Sequence, residues 1–158
     1  MKKIHCITCL SMLFMCFHIT KSYAQVSVSP VAGPVISYPW TEGELIEPAV
    51  LATAIKSGNI KGLVLNIGAV EDIPGATHIG AASDHVNMEK LQKTLAGVPK
   101  NTAIIIYCGC CPFTKCPNIR PAYNELKKLG FSDIKVLDLP KNLKINWIAK
   151  GYPLAKAD

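Results

Sequence analysis

One short apolar run limits the folds that this chain can adopt. Residues 103–107 are an alanine, three isoleucines and a tyrosine, and polar residues precede them at 101 and 102. A β-branched run of this length, without polar alternation, is typical of a strand that is buried on both faces. The run therefore predicts a strand inside a sheet that is covered on both sides.

Strand and helix patterns alternate on either side of this run. The sequence predicts strands over 63–67, 77–80, 103–107 and 134–139, and helices over 47–58, 83–97, 118–130 and 143–151. Pro74 and Gly75 mark one of the turns between them. This alternation predicts an α/β fold with a parallel central sheet flanked by helices on both faces. Ligands of such folds bind beyond the carboxyl ends of the strands, and Cys108 follows the central run at that point.

The first 24 residues have the pattern of a secretory signal peptide. Two lysines precede an apolar segment, and Ser22-Tyr23-Ala24 supplies a small-x-small end, which predicts cleavage after Ala24. The apolar segment is shorter than the ~20 residues that span a bilayer. We therefore expect an exported protein, periplasmic or secreted, without membrane association after cleavage.

The remainder is long enough for one domain and too short for two. We predict a signal peptide over 1–24, an extended proline-containing arm over 25–46 and a single domain over 47–158. Ile36, Tyr38 and Trp40 are expected to dock the arm against the domain.

The charge distribution excludes one class of partner. The signal segment contains three lysines, and its removal lowers the formal net charge from +6 to about +3. The other lysines are scattered, so we expect no nucleic-acid partner. We predict no cofactor, and we favour a monomer over an oligomer.

The cysteines are clustered. Three of the seven leave with the signal peptide, and the remaining four are Cys108, Cys110, Cys111 and Cys116. A disulfide framework would distribute its cysteines along the chain to join distant segments, so this clustering indicates a chemical site.

Cys108 is the predicted nucleophile. It lies between a strand and a helix that begins near Asn118. The free N–H groups and the positive dipole end of a helix N-terminus favour an anion such as a thiolate or an oxyanion. We predict that the main-chain N–H groups of Gly109, Cys110 and Cys111 help to bind the substrate charge.

Arg120 is predicted to bind substrate. It is the only arginine among 17 basic residues. Its planar guanidinium suits a bidentate contact with an oxyanion better than a lysine does. His78 and His85 are expected to have structural or exposed roles.

Three alternatives remain for Cys110, Cys111 and Cys116. One of them acts as a resolving thiol toward Cys108, two of them form a disulfide that stiffens the loop, or the group binds a soft metal, Cu(I) or Zn²⁺. No metal site is assigned at this point. A metal carrier or a thiol–disulfide redox module is therefore the alternative to an enzyme.

An ordered set of motifs between residues 47 and 154 resembles the rhodanese-like domain family. The set consists of IPGATHI at 73–79, IIIYC at 104–108, LGF at 129–131, VL at 136–137 and WIAKGYPL at 147–154. The resemblance implies a parallel sheet flanked by helices. It also implies a sulfurtransferase in which Cys108 takes sulfane sulfur as a persulfide from a small anion or a protein persulfide. The sulfur then passes to a nucleophilic acceptor.

The chain departs from the family pattern in three places. Glu71-Asp72 replaces the Gly-His that commonly precedes the Ile-Pro-Gly turn. Asn66 and Gly68 stand where family members usually have an acidic residue and an arginine. The family's short loop from cysteine to arginine is replaced by eleven residues between Cys108 and Arg120. Counting back from the end of the following helix puts the family's arginine position nearer Asn118.

Overall fold

The protein is described by a computed structural model that covers residues 37–156. Its helices and strands are β1 (Leu45–Ile46), α1 (Pro48–Lys56), β2 (Leu63–Asn66), β3 (Ala76–His78), α2 (His85–Thr94), β4 (Ile104–Tyr107), α3 (Ile119–Lys128), β5 (Ile134–Leu137) and α4 (Leu143–Asn146). Short 3-10 helices occur at Glu42–Glu44, Phe113–Lys115 and Ile148–Lys150. The predicted signal peptide and residues 25–36 of the predicted arm lie outside the described residues.

The strands form one parallel sheet. Their order is β1-β5-β4-β2-β3, and each neighbouring pair is parallel. The central strand β4 pairs Ile104 with Leu63 on one side and with Ile134 on the other. Because all strands run in one direction, their carboxyl ends share one edge, and Cys108 lies at that edge. The predicted α/β fold is confirmed.

The two faces of the sheet explain the apolar run in β4. Ile104 and Ile106 belong to a core that includes residues of α2 and α3. Ile105 and Tyr107 belong to a second core that includes residues of α1 and α4. Successive strand side chains point to opposite faces, so the next residue, Cys108, continues the face covered by α2 and α3.

Two elements differ from the predictions. The sheet begins earlier than expected, because Leu45 pairs with Val136 at the sheet edge, within the segment predicted as an arm. Two residues are too few to show a strand pattern in the sequence. The last predicted helix is interrupted at Trp147, whose φ of −125° and ψ of −65° lie outside the α region. Trp147 is fully buried.

The segment before β1 packs against the domain. Trp40 is buried, and its ring stacks on that of Tyr38 with 5.3 Å between centroids. The centroid of the Trp40 ring also lies 6.2 Å from that of Phe113, which belongs to the cysteine-containing loop between β4 and α3. Docking by Tyr38 and Trp40 is confirmed, whereas Ile36 lies outside the described residues. Among the helices between residues 37 and 156, none has the length and apolar character required to cross a membrane.

Candidate functional site

Cys108 lies at the carboxyl end of β4 with only 1% of its surface exposed. The chain then turns at Gly109, whose φ of +75° is in the left-handed region. A Cβ at this position would lie 2.8 Å from the Cβ of Leu143. The turn after Cys108 therefore requires glycine for both its conformation and its packing.

Neighbouring donors keep Cys108 in the thiolate form. Nδ2 of Asn118 donates to Cys108 Sγ at 3.2 Å, and Cys110 Sγ lies 3.2 Å from the same sulfur. The thiol of Cys116 has the largest effect on the pKa of Cys108, which falls to about 5. Asn118 and the main-chain N–H of Cys110 lower this pKa further, and burial opposes them. Cys108 is consequently ionised at neutral pH.

The neighbouring thiols stay protonated. Burial and the hydrogen bond to Cys108 raise the pKa of Cys110 to about 12. The contact with Cys108 raises the pKa of Cys116 as well. Within residues 37–156 all four cysteines are free. The cluster therefore combines one thiolate with protonated donors, an arrangement suited to a sulfur nucleophile.

The same cluster has the dimensions of a soft-metal site. The Sγ atoms of Cys108, Cys110 and Cys116 all lie within 4.8 Å of one another. Thiolates are the ligands that Cu(I) and Zn²⁺ favour, and three of them can converge on one ion at this spacing. These three residues could hold such an ion.

Asn118 is a site residue that the sequence pattern did not identify as one. It is 5% exposed, and its Oδ1 accepts a hydrogen bond from the Ser83 N–H at 2.9 Å. This contact directs Nδ2 toward Cys108. The main-chain N–H groups at the start of α3 were expected to surround Cys108, but those of Asn118 and Ile119 contact Cys116 instead. A polar residue at an N-cap between apolar neighbours was the available signal.

Gly68 and Asn66 form another part of the site that was not predicted. A Cβ at Gly68 would lie 2.7 Å from Cys108 Sγ, so only glycine permits this approach. The fully buried Asn66 accepts the Gly68 N–H at 3.0 Å. Its Nδ2 donates to the Val70 carbonyl and to Asp72 Oδ1, both at 2.8 Å. Asn66 thereby holds the loop that carries Gly68.

The two histidines have the surroundings expected of structural or exposed residues. His78 Nδ1 lies 3.1 Å from Asp72 Oδ1 at the end of β3. His85 is exposed at the start of α2, with its Nδ1 3.4 Å from Glu89 Oε1. Both contacts are local ion-pair geometries on the protein surface.

Comparison with known proteins places this fold. No family model matches the sequence, and a search of curated proteins finds no match. A solution NMR structure of the rhodanese-like domain of the Alr3790 protein from Anabaena sp. aligns with a TM-score of 0.51 and 19% identity, over 73% of this chain and 87% of that one. A crystal structure of the Alr3790 protein aligns with a TM-score of 0.50 and 19% identity, over 70% of this chain and 90% of that one. The chain has a rhodanese-like fold.

In this rhodanese-like fold the side chain of Arg120 contacts the segment that precedes β1. Nη2 of Arg120 donates to the Ser37 carbonyl at 3.1 Å, and the guanidinium carbon lies 6.0 Å from the centre of the Tyr38 ring. Asn118, two residues earlier, is the residue of this helix start that reaches Cys108. The role of Arg120 in substrate binding stays a prediction.

The remaining loop residues differ in exposure. Cys110 is exposed and Cys111 is half-buried, and their Sγ atoms are 3.4 Å apart. Gly109 is buried, and its carbonyl accepts the Leu143 N–H at 2.8 Å. Substrate binding by Gly109, Cys110 and Cys111 also stays a prediction. The rhodanese-like fold thus presents a cysteine cluster at the carboxyl edge of its sheet.

Proposed function

We propose that this protein is a sulfurtransferase that moves sulfane sulfur through a persulfide on Cys108. One observation carries the proposal: a cysteine at the carboxyl end of the central strand has a pKa lowered to about 5 by its neighbours. The thiolate is the nucleophilic form of cysteine, so Cys108 is ready to attack sulfur at neutral pH. The rhodanese-like fold supports the same assignment.

The reaction with thiosulfate illustrates the chemistry. The Cys108 thiolate attacks the outer sulfur of thiosulfate, a Cys108–sulfur bond forms, and the sulfur–sulfur bond of the donor breaks with release of sulfite. The product is an anionic persulfide, and no proton or external oxidant is required. Nδ2 of Asn118 and the main-chain N–H of Cys110 donate to Cys108 Sγ, and we expect them to stabilise the persulfide that forms there.

The burial of Cys108 selects the size of the donor. Cys108 is 1% exposed and Cys110 Sγ lies 3.2 Å from its Sγ, so a donor reaches the thiolate only after neighbouring side chains move. A small anion such as thiosulfate or a polysulfide suits this geometry better than a folded protein persulfide.

The test is addition of sulfur to the reduced protein. We expect intact mass spectrometry after treatment with thiosulfate or polysulfide to find one added sulfur atom in the wild-type protein. The Cys108→Ser variant should gain none, and Cys111→Ser is the matched control that should load normally. Loading that persists in Cys108→Ser contradicts the choice of nucleophile. A loss of two hydrogens instead indicates a disulfide and a redox function.

A second candidate function is binding of a soft metal. It rests on the convergence of the Cys108, Cys110 and Cys116 sulfurs within 4.8 Å. Titration of the reduced protein with Cu(I) would then give a stoichiometric complex with thiolate charge-transfer absorption. Cys116→Ser should weaken this complex while leaving sulfur loading of Cys108 possible. Equal affinity in Cys116→Ser and wild type would exclude this site.

We also propose export of the chain, with cleavage after Ala24. The proposal rests on the lysine-rich start, the apolar segment and the small-x-small end of residues 1–24. Mass spectrometry of the protein recovered from its native compartment should find Gln25 at the N-terminus. An uncleaved chain would contradict it.

A further inference from the structure

The exposed thiol of Cys110 contacts the buried candidate nucleophile, Cys108. Cys108 has 1% of its surface exposed, whereas Cys110 is the exposed member of the four cysteines in the described part of the chain. Their sulfur atoms are 3.2 Å apart. A persulfide on Cys108 would therefore be formed beside a thiol that a large acceptor can reach, although the acceptor cannot reach Cys108 itself.

We propose that Cys110 relays the persulfide sulfur from Cys108 to the protein surface. The inference rests on the proposed sulfurtransferase function. Cys110 Sγ attacks the outer sulfur of the Cys108 persulfide, a Cys110–sulfur bond forms, and the bond from that sulfur to Cys108 breaks. The Cys110 proton passes to the transferred sulfur, and Cys108 leaves as its thiolate. One persulfide is exchanged for another, so charge and electrons balance without an added oxidant or reductant.

The hydrogen bonds at Cys108 favour this direction. In sulfur exchange the departing sulfur leaves as a thiolate, so donors around it assist the step. Asn118 Nδ2 donates to Cys108 Sγ and so stabilises the thiolate that leaves. Cys110 Sγ lies 3.2 Å from Cys108 Sγ, and its proton is the one that the transferred sulfur takes up.

The backbone places Cys110 for the attack. The positive φ of Gly109 reverses the chain between the two cysteines, which brings their side chains together. Leu143 packs closely against this turn. A Cβ added at position 109 would lie only 2.8 Å from the Cβ of Leu143. The short distance between the two sulfurs is thus built into the packing of the loop.

The other two cysteines are less suited to the relay. Cys116 is buried, so sulfur placed there would be no closer to an acceptor. Cys111 is half-buried and contacts Cys110 Sγ at 3.4 Å. It is therefore the natural control, since it is adjacent to the relay thiol in sequence and in space.

The experiment compares a small and a large sulfur acceptor. Reduced protein is loaded with thiosulfate, freed of donor, and mixed with cyanide or with serum albumin that has a free thiol. Each variant's rate of transfer to albumin is divided by its own rate of discharge to cyanide, so that a change in the reactivity of Cys108 cancels. We expect this ratio to fall at least about tenfold in Cys110→Ser, because the exchange partner for the large acceptor is missing. Cys111→Ser should keep the wild-type ratio.

The outcomes separate the relay from the proposed function. If wild-type protein does not load, the sulfurtransferase proposal itself fails. If Cys110→Ser loads and keeps the wild-type ratio of albumin transfer to cyanide discharge, the relay is wrong and the enzyme assignment stands. If Cys110→Ser does not load, the persulfide of loaded wild-type protein is alkylated at successive times and located by peptide mass spectrometry. An alkylated persulfide found first on Cys108 and later on Cys110 supports the relay. An alkylated persulfide found only on Cys108 overturns it.

Discussion

The carboxyl ends of β2 and β4 are adjacent in the sheet, yet they hold their buried polar groups in different ways. Asn66 ends β2, and its amide is fully paired with the Gly68 N–H, the Val70 carbonyl and Asp72. Cys108 follows β4 and is held by one side-chain amide, one main-chain N–H and two thiols. The first end contains a neutral group, and the second contains an anion.

The two strand ends therefore have different roles, one structural and one chemical. A neutral amide with all its hydrogen bonds made fixes the backbone around it, because leaving any of those groups unpaired is costly. A thiolate surrounded by donors is stabilised, but it keeps the lone pairs needed for attack. The β2 end therefore provides the wall of the site, and the β4 end provides the reactive atom.

The largest expected effect is a change in the acidity of Cys108 when Asn118 is replaced by alanine. A hydrogen bond to a charged group contributes about 1.5–3 kcal/mol, so the pKa of Cys108 should rise by about one to two units. The measurement is the ultraviolet thiolate absorbance as a function of pH, with Cys108→Ser subtracted. Asn66→Ala should leave this pKa unchanged. Equal titration curves for Asn118→Ala and wild type would mean that the hydrogen bond from Asn118 does not stabilise the Cys108 thiolate.

Replacement of Gly68 by alanine should break the contact between the two strand ends. The added Cβ would lie 2.7 Å from Cys108 Sγ. Overpacking of this kind costs about 1–3 kcal/mol, which urea denaturation should detect as a loss of stability. Gly43→Ala is the control, because the nearest atom to its Cβ would be Thr41 Oγ1 at 3.9 Å. Equal stability of the two variants would show that the approach to Cys108 is not tight.

Replacement of Asn66 by alanine should have a similar or slightly smaller effect on stability. It leaves the buried Gly68 N–H without its partner, at a cost of about 1–3 kcal/mol. Urea denaturation should show this loss, whereas Asn124→Ala on the exposed surface of α3 should show little change. A stable Asn66→Ala protein would mean that the β2 end is not the rigid wall of the site.

The smallest effect, taken per pH unit, is a dependence of stability on pH. The pKa of Cys108 is about 5 in the folded protein against an ordinary value of 9.0, so the unfolded chain binds one more proton between these values. Stability should therefore rise with pH in this window, by at most about 1.4 kcal/mol per pH unit, and the contribution is lost as pH falls through 5.

Urea denaturation of reduced protein at about pH 6 and about pH 8 tests this slope, and Cys108→Ser should remove it. Above pH 9 the sign reverses for Cys110, because its raised pKa of about 12 keeps a proton in the folded state that the unfolded chain releases. An identical slope in Cys108→Ser and wild type would mean that the cysteine is not a thiolate in the folded protein.

The architecture followed from local patterns in the sequence. The apolar run of β4 indicated a strand covered on both faces, and alternation with helical periods indicated the parallel sheet. The position of Cys108 at the strand end was visible for the same reason. Each of these features depends on the periodic burial of residues that are close in sequence.

The surroundings of Cys108 were decided by the tertiary structure. The hydrogen bond from Asn118 joins residues ten positions apart in the sequence, and its orientation depends on Ser83, 35 positions from Asn118. The close approach of Gly68 depends on how β2 lies beside β4. A periodic pattern specifies which face a residue occupies, but contacts of this kind depend on the path of the intervening chain to within an ångström. That path is set by packing, which no local pattern records.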